Sequence, residues 1–155
     1  MLYRIIVTLH SGLRWVLLAL LLVVIVRAVL GWRGGKALVK KDRVLASICV
    51  GIADLQLVIG LLLYFGLTSW FTTLLEDPGR VMGTSALRFF AVEHAPGMIV
   101  ALVILHVASI RSKRADDDRV AWRRLALGFI AALVLILVSI PWPFMPYGRA
   151  LFRFG

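Results

Sequence analysis

Apolar residues dominate four stretches of the chain, and each stretch is long enough to cross a membrane as a helix. At about 1.5 Å rise per residue, about 20 apolar residues span the roughly 30 Å hydrocarbon core of a bilayer. The pattern predicts four transmembrane helices over about 3–31, 44–71, 86–110 and 121–140. A tail, 141–155, follows and is expected at the outer face. Because the first stretch is long and has no typical cleavage site, we interpret it as an anchor rather than a signal peptide.

Charged residues concentrate in two of the connections, and their sign predicts the topology. The connections 32–43 and 111–120 are rich in Lys and Arg, whereas 72–85 has only Arg80 as a cation. Cytoplasmic loops collect positive charge, so the two basic connections are expected inside and both termini outside. Short connections favour antiparallel neighbours. The sequence therefore predicts an all-α, integral membrane four-helix bundle of up-down-up-down order. It forms a single domain over 1–155, with both termini on the outer (periplasmic) side of a bacterial inner membrane.

The composition excludes a water-soluble domain. Of the 155 residues, 61% are hydrophobic and 17% are charged, whereas soluble domains have about 45–50% and about 25%. The formal net charge of +10 lies between and beside the apolar stretches, which favours anionic lipids over nucleic acid as the partner. The single cysteine, Cys49, excludes a disulfide within this chain and a cysteine metal cluster. The acidic run 116–118 lacks the ligand spacing of a calcium loop and is interpreted as a solvated loop.

Ionisable residues within the predicted helices are candidate functional residues because charge is costly in hydrocarbon. Counting along the helices places His10 and His94 at a similar depth in the outer half of the bilayer. Two neutral imidazoles on facing helices can supply both axial ligands of one haem iron. Arg14 lies one turn from His10 and can face a haem propionate or Glu93. Met98 shares a helix face with His94 and would line the haem pocket.

Two other interpretations of this outer cluster remain open. In the first, the two histidines, Arg14 and Glu93 form a buried hydrogen-bonded network that fastens the first helix to the third. In the second, the cluster binds copper or zinc, with Glu93 as a further ligand. Pro96 is expected to interrupt the hydrogen bonding of the third helix beside His94 and to bend the helix there.

A second group of ionisable residues, Asp54 and His106, lies nearer the inner surface. The two residues have a similar depth on the second and third helices, which predicts a hydrogen bond between them. The functional alternative is a proton relay or a quinone site, with Gln56 as a further donor. Because the chain has 3 histidines, two bis-histidine haems cannot form, and one haem is expected.

Five segments spread over the four predicted helices and the tail have a familiar pattern. They are HSGLRW at 10–15, DLQLVIGLLLYF at 54–65, RFFAVEH at 88–94, IPWPF at 140–144 and YGRALF at 147–152. Together they resemble a family of small four-helix bacterial membrane proteins labelled cytochrome b-like. The resemblance implies a membrane-embedded haem b or quinone-linked redox role. It also implies that His10 and His94 are ligand positions, with Arg14 and Glu93 beside them.

The residues and the resemblance favour a membrane-embedded b-type cytochrome-like redox subunit. It would bind one haem between the first and third helices and exchange electrons with quinol or a partner complex. The alternative is a cofactor-free accessory or scaffold subunit of a larger respiratory or photosynthetic complex, which docks through the tail 141–155. The simpler role of that tail is an interfacial anchor. A transporter is less favoured because the chain shows no internal repeat. We therefore expect an electron-transfer or accessory subunit rather than a stand-alone enzyme.

Overall fold

The computed structural model describes residues 1–150, and long helices account for most of them. The four long helices are α1 (Leu2–Gly34), α2 (Lys40–Leu67), α3 (Ser85–Lys113) and α4 (Asp118–Val138). The predicted all-α class is confirmed over the described residues, because no strand occurs among them. Each long helix is long and apolar enough to cross a membrane. Residues 151–155, the last part of the predicted tail, lie outside the described residues.

The basic ends of the helices continue past the predicted apolar stretches. The first helix ends at Gly34 rather than at 31, and the third ends at Lys113 rather than at 110. Lys and Arg are good helix formers, and their long stems cover apolar surface while their charged groups reach water. Hydrophobicity therefore marks the ends of the apolar stretches, whereas the helical backbone continues into the basic residues that follow. The end of α1 is closed by Gly35, which has a left-handed conformation at φ 60°.

Two of the long helices contain a π-helical segment. The parts of α2 are an α-helix over Lys40–Leu61 and a π-helix over Leu62–Leu67. The parts of α3 are Ser85–Arg88 (α), Phe89–His94 (π) and Ala95–Lys113 (α). Pro96 has no amide hydrogen to donate, and its ring crowds the carbonyl one turn earlier, which a widened π turn can accommodate. The interruption predicted at Pro96 takes the form of this π-helical segment, which ends at His94. The Tyr64 hydroxyl donates a 2.7 Å hydrogen bond to the Ala91 carbonyl and so joins the two π segments.

The connection between α2 and α3 contains two short helices, Trp70–Glu76 and Pro78–Gly83. The prediction that the second long helix runs to 71 is wrong, because the chain is extended at Thr68 and a new helix begins at Trp70. The residues on both sides of this break are mostly apolar, so the hydrophobicity pattern does not indicate it. The second short helix is capped by the Asp77 side chain, which accepts a 2.9 Å hydrogen bond from the Arg80 amide.

The long helices pack in a ring, with α1 beside α2, α2 beside α3, α3 beside α4 and α4 beside α1. These pairings place α1 and α3 diagonally. The contact of α3 with α4 at Ala108 requires Gly128, because a methyl group at Gly128 would overlap the methyl group of Ala108. At the basic end, Arg27 of α1 donates a 2.8 Å hydrogen bond to the buried Asp42 of α2. The Trp122 indole at the start of α4 donates a 2.8 Å bond to the Lys36 carbonyl.

Large apolar side chains cover the outside of the bundle as well as its interior. Val58 is 62% exposed, Val103 is 54% exposed and Val134 is 56% exposed. Helices that are apolar on all sides are typical of a protein whose outer surface faces hydrocarbon. The four helices therefore indicate a multi-pass membrane protein.

Candidate cofactor site

The structure brings His10 of α1 and His94 of α3 together across the bundle. The centres of their imidazole rings are 6.4 Å apart, and the ring planes make an angle of 71°. Both side chains line one partly enclosed cavity. The similar depth predicted for the two histidines therefore corresponds to a real proximity at one cavity.

A backbone carbonyl orients the His94 ring. Its Nδ1 lies 2.7 Å from the carbonyl oxygen of Ser139, at the end of α4. A carbonyl oxygen only accepts hydrogen bonds, so Nδ1 carries the proton and Nε2 carries the lone pair. Metal-binding histidines usually have such a bond on the nitrogen that does not bind the metal. Gly97 allows this arrangement, because a Cβ there would lie 2.5 Å from the Ser139 hydroxyl oxygen.

The His10 ring lies against α2. A Cβ at Gly60 would lie 3.1 Å from the His10 Cε1 atom, so the glycine leaves room for the ring. Gln56 donates a 2.9 Å hydrogen bond from Nε2 to the His10 carbonyl. The proposed role of Gln56 as a donor beside His106 is therefore wrong, because its amide group lies at the outer cluster. Among the described residues, the buried atoms His10 Nδ1 and Gln56 Oε1 have no hydrogen-bond partner. Buried polar atoms are normally satisfied, so these two atoms are available to contact a bound ligand or water.

Apolar side chains form most of the cavity wall. Met98 lines the cavity together with His94, as predicted from their shared helix face, and Ala101 and Leu105 of α3 line it as well. Ala101 is almost fully buried and small, which leaves space between α1 and α3. Such a wall excludes water and lowers the local dielectric constant, which strengthens every electrostatic interaction inside the cavity.

Arg14 lines the cavity, but Glu93 does not. The Arg14 guanidinium carbon lies 5.2 Å from the centre of the Trp15 ring. Glu93 accepts a 2.8 Å hydrogen bond from Arg88, and both side chains are about half exposed, at 44% and 42%. The expectation that Glu93 joins the outer cluster, as a partner of Arg14 or as a metal ligand, is therefore wrong. The described residues also contain no group of three or more His, Cys, Asp or Glu side chains placed to bind a metal ion.

The chain after α4 folds back over the cavity. The Tyr147 ring stacks on Phe89, with centres 4.0 Å apart and an angle of 13°. The Arg149 guanidinium lies 4.9 Å from the centre of the Phe90 ring, and Arg149 also lines the cavity. No role is predicted for Arg149 from the sequence. In the sequence, Arg149 follows a segment rich in proline and aromatic residues. That pattern does not indicate that the chain folds back to the cavity.

The predicted hydrogen bond between Asp54 and His106 is present. His106 Nε2 lies 2.8 Å from Asp54 Oδ1, and the two side chains are 45% and 46% exposed. Neither residue lines the cavity. The pair is thus separate from the histidine cluster and lies at the α2–α3 contact on the outside of the bundle.

Comparisons of the chain with protein families, with characterised proteins and with solved structures find no match.

Proposed function

We propose that the protein is a membrane-embedded b-type cytochrome-like redox subunit with one haem b between α1 and α3. The observation that carries the proposal is the 6.4 Å separation of the His10 and His94 ring centres. A metal–imidazole bond of about 2.0–2.1 Å, plus roughly 1.2 Å from nitrogen to ring centre, separates two ring centres by about 6.5 Å when both rings bind one ion. The two histidines therefore have the spacing of axial ligands to one iron.

The surroundings of the two rings fit this role. The Ser139 carbonyl holds His94 in the tautomer that leaves Nε2 available as a ligand. The buried Nδ1 of His10 is the kind of atom that a bound cofactor would satisfy. Met98 and Ala101 provide apolar wall for the faces of a macrocycle. Haem would supply a one-electron redox centre, while these residues ligate it, keep water away and tune its reduction potential.

The proposal includes an up-down-up-down order, with both termini and the haem site towards the outer side of a bacterial inner membrane. The contacts between helix ends support this order, since Arg27 meets Asp42 at one end and His10 meets Gly60 at the other. The basic connections lie at the end opposite the site, where anionic lipids would bind them. A single haem held there by His10 and His94 would supply the redox chemistry for electron exchange with quinol or with a partner complex, which is the role implied by the resemblance to cytochrome b-like proteins.

The test is a dithionite-reduced minus oxidised visible spectrum of the protein purified in detergent, with a pyridine haemochrome assay on the same sample. We expect b-type bands and about one haem per chain. His10→Ala and His94→Ala should each abolish the bands. His106→Ala is the matched control, because it removes a membrane-embedded imidazole that lies outside the cavity.

A colourless, folded protein from haem-supplied cells would contradict the proposal. It would leave the His10–His94 cluster as a structural contact between α1 and α3. The alternative, a cofactor-free accessory or scaffold subunit of a larger complex, would then be preferred.

A further inference from the structure

The cavity has a second arginine, which reaches it from a part of the chain remote from Arg14. Arg149 lies in the segment after α4, and its amide donates a 3.1 Å hydrogen bond to the Pro141 carbonyl. The stacking of Tyr147 on Phe89 holds the same segment against α3. Arg149 is thus placed beside the cavity by both a backbone bond and an aromatic contact, and its guanidinium lies over Phe90.

Two arginines, Arg14 and Arg149, line the cavity together with mostly apolar side chains. A guanidinium group beside an apolar, partly enclosed space interacts strongly with an anion, because the local dielectric constant is low. The arrangement favours a ligand that has a large apolar body and negatively charged groups.

The two arginines approach the cavity from different directions. In α1, side chains tilt towards the N-terminal end of the helix, so the Arg14 side chain leans towards the level of His10. Arg149 approaches from the segment that follows α4, beside the Phe90 ring. A planar guanidinium recognises a carboxylate through two parallel hydrogen bonds. Two arginines on separate elements therefore suit a ligand with two carboxylates.

We propose that Arg149 and Arg14 form a site for two carboxylates, in which Arg149 binds one propionate of the haem and Arg14 binds the other. This inference rests on the proposed haem site. Beyond that function, it assigns a cofactor-binding role to the segment after α4, for which the sequence predicts only anchoring or docking.

The test compares the binding of haem b with that of haem b dimethyl ester, in which both propionates are neutral. The full-length apo-protein in detergent is titrated with each compound, and the dissociation constants are measured from the Soret absorbance. A hydrogen bond to a charged group contributes on the order of 10- to 100-fold in affinity. We therefore expect the protein to prefer haem over the ester, and Arg149→Gln to reduce that preference about 10-fold or more.

Each variant serves as its own reference. A general loss of folding weakens the binding of both compounds equally, so the ratio of the two dissociation constants stays unchanged. Arg149→Lys should retain part of the preference, since it keeps the charge but loses the planar fork. Arg80→Gln is the matched control, because Arg80 lies in the connection between α2 and α3 and does not line the cavity. It should keep the full preference.

Three results have distinct meanings. Equal affinities for haem and ester in the unchanged protein would overturn the carboxylate site and leave the haem proposal standing. If Arg149→Gln lowers the affinities for haem and for the ester equally, the proposed binding of a propionate by Arg149 is overturned, and Arg149 contributes only to packing. Binding of neither compound would overturn the haem proposal itself.

Discussion

The contact between α3 and α4 depends on a glycine, and an exchange of two small residues tests it. A Cβ added at Gly128 would overlap the Cβ of Ala108, far inside the about 3.5–4.0 Å optimum for carbon contacts. Overpacking of this kind costs about 1–3 kcal/mol. The better helix propensity of alanine offsets about 0.5–1 kcal/mol of this cost. We therefore expect Gly128→Ala to lower the free energy of unfolding by about 1–2 kcal/mol.

Adding Ala108→Gly to Gly128→Ala should restore most of the loss. With the methyl group of Ala108 removed, the nearest atom to the new Cβ is the Cα of residue 108 at 3.5 Å, an ordinary contact. One alanine and one glycine have then changed places, so the double variant should lie within about 1 kcal/mol of the original protein.

The assay is equilibrium unfolding in detergent, with helix content followed by circular dichroism. Gly51→Ala is the control, because Gly51 lies in α2 and a Cβ there would meet no atom within 4 Å. It should be neutral or slightly stabilising. If the changes in the free energy of unfolding caused by the substitutions at 108 and 128 are additive, the close contact between these two residues of α3 and α4 is contradicted.

Three further predictions concern the site and the basic end of the bundle. Gly60→Ala should lower haem content several-fold with unchanged helix content, because the new Cβ would lie 3.1 Å from His10 Cε1 and displace the ring; full haem occupancy would mean that the ring position is unimportant. Arg27→Leu should lower the free energy of unfolding by about 1–3 kcal/mol, because it leaves Asp42 buried without its hydrogen-bond donor. Combining it with Asp42→Asn should recover part of this loss in a chemical denaturation series, and strictly additive losses would argue against the pair. His106→Ala should leave the haem content per chain unchanged in the pyridine haemochrome assay; a colourless variant would place an iron ligand on that part of α3.

The axial positions of the polar residues follow from the sequence alone. Depth in a membrane helix is residue number multiplied by a constant rise, so His10 and His94 were expected at one level. The same count predicted the hydrogen bond between Asp54 and His106, which is 2.8 Å long. Helical periodicity put Met98 on the face of His94, and both residues line the cavity. These features depend only on regular helix geometry and on the length of each apolar stretch.

Two side chains have partners other than those predicted. Glu93 pairs with Arg88, five residues earlier, because the π-helical segment Phe89–His94 has more residues per turn than an α-helix. Gln56 lies in the regular α-helical part of α2, where residues two positions apart do not share a face, so it points away from Asp54 and its amide group meets the His10 backbone. That Gln56 reaches His10 depends on how α1 packs against α2.

The amino-acid sequence by itself determined the four apolar helices, their basic connections and the shared level of the two histidines along the bundle, because hydrophobicity, charge and helical rise are local properties of the chain. Only the tertiary structure decided that the Ser139 carbonyl orients His94 and that Arg149 returns to the cavity. Both contacts join segments far apart in the sequence. Their positions depend on how the helices rotate and pack against one another and on the path of the chain after Val138.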